Sequence, residues 1–202
     1  MIKHIIFDLG KVIVNVDLQP FLYKFSDEFK IDPLELTNDD QDGVHREFMV
    51  GRLTGEEFHK VTCEKFNHFI PIEHFKEIWI SMLSGEIRGI SSIIKKLYKN
   101  RYTLSILSNT DPWHYEYCLE MIPCLRLFQN KFLSYDLKMK KPDPEIFEYV
   151  AETLKAKPER CLFIDDRLDN ISAARAQNFN SIQFQNSEDL QKDLLQMGIK
   201  LD

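Results

Sequence analysis

Three short apolar runs, each stopping abruptly on polar residues, constrain the fold of this chain more than any other feature. Residues 2–7 read Ile-Lys-His-Ile-Ile-Phe and stop at Asp8. Residues 102–107 read Tyr-Thr-Leu-Ser-Ile-Leu and stop at Ser108-Asn109. Residues 161–164 read Cys-Leu-Phe-Ile and stop at Asp165-Asp166. Short, β-rich apolar runs of this kind suit strands buried on both faces, whose carboxyl ends emerge at the polar residues. Ser181-Ile-Gln-Phe is a weaker last strand, and Lys131-Phe-Leu-Ser a further short candidate.

Helical patterns alternate with these runs. Ile90, Ile93, Ile94 and Leu97 share one helix face. Asp143-Pro144 offers an N-cap and a proline at the first helical position, followed by Ile146, Phe147, Val150 and Leu154 on one side. Asn170 is expected to open a helix through Ile171 and Ala174, and Ser187 with Glu188 and Asp189 to open the last. Strands alternating with helices imply an α/β fold with a doubly wound, Rossmann-like parallel sheet. The stretch 16–86 lacks a convincing strand. Phe21, Leu22 and Phe25 share a face, Thr54 to Glu57 resembles a capping box, and a helix is expected from Ile72 to Leu83. The expected division is a core of residues 1–15 and 87–202 with a helical cap of residues 16–86 inserted after the first strand.

Charge and composition exclude several classes of function. Lys and Arg number 26 against 32 Asp and Glu, a net charge of −6 without a basic run, so no nucleic-acid partner is expected. No apolar stretch is long enough to span a bilayer, and the first one is too short for a secretory signal, so a cytoplasmic protein without a membrane partner is expected. Cys63, Cys118, Cys124 and Cys161 form no CxxC pair and are expected to be free thiols. The expected oligomeric state is a monomer or weak dimer.

In an open α/β sheet, ligands sit beyond the carboxyl ends of the strands. Asp8, Ser108, Asn109, Asp165 and Asp166 occupy those ends, and Lys141 lies just before the Pro142-Asp143-Pro144 helix start. A carboxylate nucleophile, hydroxyl and amide donors, a cation and a second carboxylate cluster suit phosphoryl transfer. The phosphate dianion repels an attacking carboxylate, and Mg²⁺ with a lysine neutralises it. Asp8, Asp166 and a main-chain carbonyl would suffice for the metal, with Asn170 hydrogen-bonding a metal-bound water.

The order Phe-Asp-Leu-Gly-Lys-Val-Ile-Val, Leu-Ser-Asn-Thr, Lys-Lys-Pro-Asp-Pro-Glu-Ile-Phe and Phe-Ile-Asp-Asp-Arg-Leu-Asp-Asn resembles the four motifs of the haloacid dehalogenase-like hydrolases. The resemblance spans nearly the whole chain, and the helical stretch matches the position of that superfamily's cap. The Asp-Leu-Gly form of the first motif is similar to that of bacterial α-D-glucose-1-phosphate phosphatases. The resemblance implies that Asp8 attacks phosphorus and forms an aspartyl phosphate. It implies that the Gly10 carbonyl and Asp166 complete the protein ligands of Mg²⁺ with Asp8. Ser108 and the Asn109 N–H would hold phosphate oxygens, and Lys141 would offset charge. Asp165 would stand one layer out from the metal, or contact it instead. The implied partner is a small phosphorylated metabolite, taken to be a sugar phosphate such as a sugar 1-phosphate.

One position departs from the pattern. Many phosphatases of this superfamily carry an acid–base Asp where Gly10 stands. Three accounts arise: an inactive or weak phosphatase, an easy leaving group such as an anomeric oxygen, or a substitute from Asn15, Asp17, His114 or a metal-ordered water. The easy leaving group is favoured. A metal-independent 2-haloacid dehalogenase and a silent phosphate-binding protein are the alternatives, and Asp165-Asp166 with Asn170 argues against the former. Phe21, Arg46, Phe48 and Trp79 are candidate cap contacts with substrate, and Trp113 and His114 candidate pocket residues, though each also suits plain packing.

Overall fold

The computed structural model describes residues 1–33 and 43–202. Its centre is a five-stranded sheet in the order β5-β4-β1-β6-β7. The strands are β1 (His4–Phe7), β4 (Thr103–Ser108), β5 (Asn130–Leu133), β6 (Cys161–Asp165) and β7 (Asn180–Gln183). All are paired in parallel. The apolar runs thus become the strands they suggest. β1 sits in the middle, with β4 on one side and β6 on the other, so the chain reverses its winding direction there.

Side chains alternate between two cores, as the pleat demands. Ile5, Phe7, Leu104, Ile106, Leu162 and Ile164 face one layer, which includes Ile90, Ile93, Ile94 and Leu97 of α5 (Ile90–Lys99). Leu190 and Leu194 of α10 (Ser187–Gln196) complete that layer. Ile6, Leu107, Cys161 and Phe163 face the other, against α8 (Pro144–Thr153) and α9 (Leu168–Ala176). All four cysteines are buried free thiols.

Helix starts differ in detail from the sequence expectations. Thr54 and Glu57 form the expected capping box on α3 (Gly55–Lys65), with Glu57 N to Thr54 Oγ1 at 3.2 Å and Thr54 N to Glu57 Oε2 at 2.8 Å. Asp143 precedes α8 as expected but its side chain makes no cap hydrogen bond. Asn170 lies inside α9 rather than at its start, two residues past Leu168, and its amide donates to the buried Asp165 carboxylate. The last helix is capped by Asn186, whose Oδ1 accepts from Asp189 N at 2.9 Å.

Among the described residues between 17 and 82 the chain forms α1 (Leu18–Phe29), α2 (Val44–Met49), α3 and α4 (Ile72–Ile80). Their shared core is aromatic: Phe25, Phe29, Phe48, Phe58, Phe75 and Trp79 meet in one cluster. The expectation of no strand between 16 and 86 is corrected. β2 (Val14–Val16) and β3 (Leu83–Glu86) pair antiparallel, and α4 ends at Ile80 rather than running to Leu83. Leu-Ser-Gly-Glu has no apolar run, so only the pairing itself makes it a strand. The ribbon brings both ends of the helical insert side by side. No helix among the described residues is long and apolar enough to cross a membrane.

The insert also docks directly on the core. Gly51, at φ 68°, lies so close to α7 (Ser134–Leu137) that a Cβ would come within 2.0 Å of the Tyr135 carbonyl oxygen. Left-handed backbone and this overlap both disfavour any side chain. Gly51→Ala is expected to lower unfolding stability by at least about 2 kcal/mol, read by urea denaturation; an unchanged midpoint would show that the insert is not docked there.

Candidate active site

The sheet register assembles the site. Phe7 lies level with Ile106 on one side and Ile164 on the other. Asp8 is therefore level with Asp165 and one residue short of Ser108, and its N–H donates to the Ile164 carbonyl at 2.8 Å. Three carboxyl ends thus open into one cleft of about 650 Å³, lined by Asp8, Gly10, Ser108, Asn109, Lys141, Asp166 and Asn170 among others. That volume suits a small metabolite.

At its floor, Lys141 Nζ lies 2.8 Å from Asp8 Oδ1 and 2.6 Å from Asp165 Oδ2. All three side chains are nearly or fully buried. Burial pushes the Asp8 carboxyl up, Lys141 pulls it down and Asp165 pushes it up again, leaving it at about 6. Burial works against the Lys141 charge, but the two carboxylates outweigh it and hold the ammonium above its ordinary value.

Asp165 has no oxygen to spare. Besides Lys141, Oδ2 accepts from Asn170 Nδ2 at 3.0 Å, and Oδ1 accepts from Asn170 Nδ2 at 3.1 Å and from Arg167 N at 2.8 Å. It acts as the buried anchor of the lysine. Asn109 has a role invisible in the sequence: its Nδ2 donates to the Lys141 carbonyl at 2.7 Å and its Oδ1 accepts from Lys141 N at 2.8 Å. This amide clips the lysine loop to the end of β4.

Among the described residues, Asp8, Asp165 and Asp166 form the one three-member group of His, Cys, Asp or Glu with ligand atoms within 4.8 Å of one another. Asp166 is half-buried and its carboxyl is raised, first by burial and then by the charge of Asp165. Asn170 Oδ1 is buried without a hydrogen-bond partner. Hard oxygen donors crowded together, with an unmet acceptor beside them, fit a small divalent cation that keeps part of its water shell. Gly10 also lines the cleft. Nothing steric demands glycine there: its φ is not positive, and an added Cβ would meet Val16 Cγ2 at an ordinary 3.5 Å.

Several expected contacts lie elsewhere. Asn15 donates to the Glu86 carbonyl at 3.1 Å and lines a different groove. Asp17 caps α1 by accepting from Gln19 N at 3.0 Å. His114 is buried against Asp111. None of these proposed acid–base substitutes lines the cleft. Of the four cap candidates, Arg46 does line it, whereas Phe48 and Trp79 belong to the insert's aromatic core and Phe21 packs against it. Trp113 also packs against that core. The cleft adds Lys11, His45, Met49, Lys140 and Arg167. Lys11, Lys140 and Arg167 each adjoin a motif residue in sequence. His45 and Met49 flank Arg46 on α2, a link that only the docking of the insert creates.

The family model for haloacid dehalogenase-like hydrolases matches residues 2–178. D-ribitol-5-phosphate phosphatase of Bacteroides thetaiotaomicron is 29% identical over 202 aligned residues, covering 96% of this chain and 97% of its own. A chloroplast flavin mononucleotide hydrolase of Arabidopsis thaliana is 26% identical, covering 98% of this chain and 78% of its own. The crystal structure of a haloacid dehalogenase family enzyme from Bacteroides thetaiotaomicron superposes with a TM-score of 0.88 at 26% identity, covering 96% of this chain and 98% of that one. Its complex with magnesium and inorganic phosphate superposes with a TM-score of 0.83 at 26% identity, covering 92% and 96%. The glucose-1-phosphate subgroup suggested by the Asp-Leu-Gly motif is not the one these relatives are named for.

Lys141→Met would leave Asp8 and Asp165 facing each other without their cation. A loss of about 3–5 kcal/mol is expected in metal-free urea unfolding, with Asp165→Asn in the same chain restoring part of it. Losses that simply add would show that the two side chains are not coupled.

Proposed function

The chain belongs to the haloacid dehalogenase-like hydrolases, and from that premise we propose that it is a magnesium-dependent phosphomonoesterase acting on a small sugar or polyol phosphate. The observation that carries this reading is the buried Asp8–Lys141–Asp165 line with Asp166 beside it, at the floor of a cleft sized for a small metabolite. The relatives named for ribitol 5-phosphate and flavin mononucleotide support the substrate class.

In this reading Asp8 is the nucleophile. Its attack on phosphorus forms an aspartyl phosphate and breaks the ester P–O bond; the leaving oxygen departs as an anion that takes its proton from water, and a second water hydrolyses the aspartyl phosphate to free phosphate and the Asp8 carboxylate. Lys141 stays charged between Asp8 and Asp165, so it screens the incoming dianion and holds the nucleophile's oxygen in place. Asn109 fixes the loop that carries Lys141, while its N–H and the Ser108 hydroxyl hold phosphate oxygens. Asp8, the Gly10 carbonyl and Asp166 would hold Mg²⁺, with Asn170 one layer out. When bound, the metal supplies charge neutralisation for the phosphoryl group. The helical insert serves as the cap, and Arg46 on α2 faces the substrate side of the cleft.

Gly10 gives this site no carboxyl acid two residues past the nucleophile. Leaving groups that depart as weakly basic anions therefore suit it best. A sugar 1-phosphate is one such substrate; a polyol 5-phosphate, whose primary alkoxide is more basic, would turn over more slowly in the same site.

The test is a panel of sugar 1-phosphates, polyol 5-phosphates and flavin mononucleotide, with and without Mg²⁺. Metal-dependent phosphate release is expected, and Asp8→Asn should abolish it. Turnover of a 2-haloacid without metal, and of no phosphate ester, would favour a dehalogenase instead. Because the backbone at Gly10 accepts a side chain, Gly10→Asp is expected to raise turnover of alkyl phosphates by about 10-fold or more while changing p-nitrophenyl phosphate little. Equal effects on both would show that leaving-group protonation is not what the glycine removes.

A further inference from the structure

Two contacts fasten the helical insert to the residues that follow Ser108 and Asn109. In the first, Ser134 Oγ lies 2.6 Å from the Met49 carbonyl and 3.0 Å from both the carbonyl oxygen and the nitrogen of Thr110. In the second, His114 is caught between Asp111 and Trp79. Its Nδ1 is 2.7 Å from Asp111 Oδ2, and its Nε2 is 3.1 Å from the Trp79 carbonyl oxygen. The Trp79 indole donates to the same Asp111 Oδ2 at 3.1 Å and stacks on the imidazole at 5.4 Å and 14°. Asp111 also accepts from His114 N at 3.0 Å and so caps α6 (Pro112–Met121).

Both nitrogens of the His114 ring face acceptors. A neutral imidazole has one N–H and would turn a lone pair on an oxygen; the imidazolium donates to both. We propose that His114 is an imidazolium clamp that holds insert helix α4 against the segment 108–111, and that loss of its proton loosens the insert and weakens binding of phosphate in the cleft. This goes beyond the reaction proposed above, because the clamp would act on any anion held by that segment.

The surrounding charges agree. Burial pushes the imidazole down, but Asp111 and the Trp79 carbonyl raise it further, leaving it above its ordinary value. Burial likewise opposes the Asp111 charge, and His114 overrides it, so that carboxyl lies below its ordinary range. Other ionisable groups lie nearby. Cys118 on α6 is pushed up to about 12 by burial and then by Asp111. Tyr135 on α7 is raised by burial first, with Asp111 contributing. Neither carries charge near neutrality. His45 of α2 sets its ring at the edge of Trp79 at 5.0 Å, and Lys76 of α4 lies over Trp113 at 5.4 Å. The His114 contribution is complete below the ordinary imidazole value and is lost as pH rises through the raised one. The Asp111 contribution is lost only as pH falls through its lowered value. The clamp thus opens on the alkaline side of the His114 titration.

Imidazole ¹⁵N NMR on the full chain reads the ionisation of His114 directly. Hydrogen exchange in α4 reads the clamp, and titration with inorganic phosphate in the presence of Mg²⁺ reads its effect on the cleft. His114 should be protonated at pH 7. As pH passes its titration, α4 exchange should rise and phosphate affinity fall by about fivefold or more, after correction for intrinsic exchange and for phosphate ionisation. His114→Gln, which keeps a donor but cannot change charge, should lose this step. A purely structural ion pair would alter the melting temperature of the variant but leave the pH dependence of phosphate affinity as in the parent. That result, or a neutral His114 at pH 7, would overturn the proposal. Should His114→Gln fail to fold, the NMR titration and the exchange profile of the unaltered protein still decide. An intact clamp in a protein that hydrolyses no phosphate ester would count against the proposed reaction alone.

Discussion

One ammonium group organises this molecule. Lys141 Nζ lies between the carboxylates of Asp8 and Asp165 at 2.8 and 2.6 Å, with almost no solvent around it. Those carboxylates end neighbouring strands, and without a cation between them they would repel across a water-poor gap. The remaining polar neighbours follow from that need. Asn170 and the Arg167 N–H satisfy the rest of Asp165, and Asn109 holds the lysine loop by its main chain. A buried ion pair is weak support for stability unless its partners are fully satisfied. Here the anchor, Asp165, is satisfied, whereas Asp8 keeps one edge toward the cleft. The same arrangement that solves a folding problem therefore leaves one carboxylate available for chemistry.

The helical insert depends on the core in a related way. Its own interior is aromatic, and it reaches the core through a handful of close contacts: Gly51 on Tyr135, the Ser134 hydroxyl on Met49, and Trp79 on Asp111 and His114. Gly55 adds another, since a Cβ there would fall 2.5 Å from the Trp113 ring. Apart from Gly51 on Tyr135, these contacts involve residues 110–114, just past Ser108 and Asn109. The position of the insert and the geometry of the segment after β4 are thus joined by direct contacts.

Much of the core and the candidate site was legible in the sequence because it is local. A strand buried on both faces must be apolar along its length, so β1, β4 and β6 announce themselves, and their ends place Asp8, Ser108, Asn109, Asp165 and Asp166. Lys141 was legible through its motif and the helix start after it. β2 and β3 were not legible, because Leu83–Glu86 is a strand only by virtue of its partner. Asn170, expected at a helix start, sits within α9, where its amide donates to the buried Asp165 carboxylate.

The sequence by itself determined the strands of the central sheet, several of the helices that cover it, the doubly wound class and the polar residues at the strand ends, since apolar periodicity and polar strand ends are properties of short segments. Only the tertiary structure decided what each polar side chain does. It turned Asp165 into the anchor of a lysine, Asn109 into a clip and His114 into a group shared by insert and core. It also moved Asn15, Asp17 and His114 away from the cleft. The reason is physical: a buried polar group must find its partner in space, and those partners lie 24, 32 and 35 residues away in the chain.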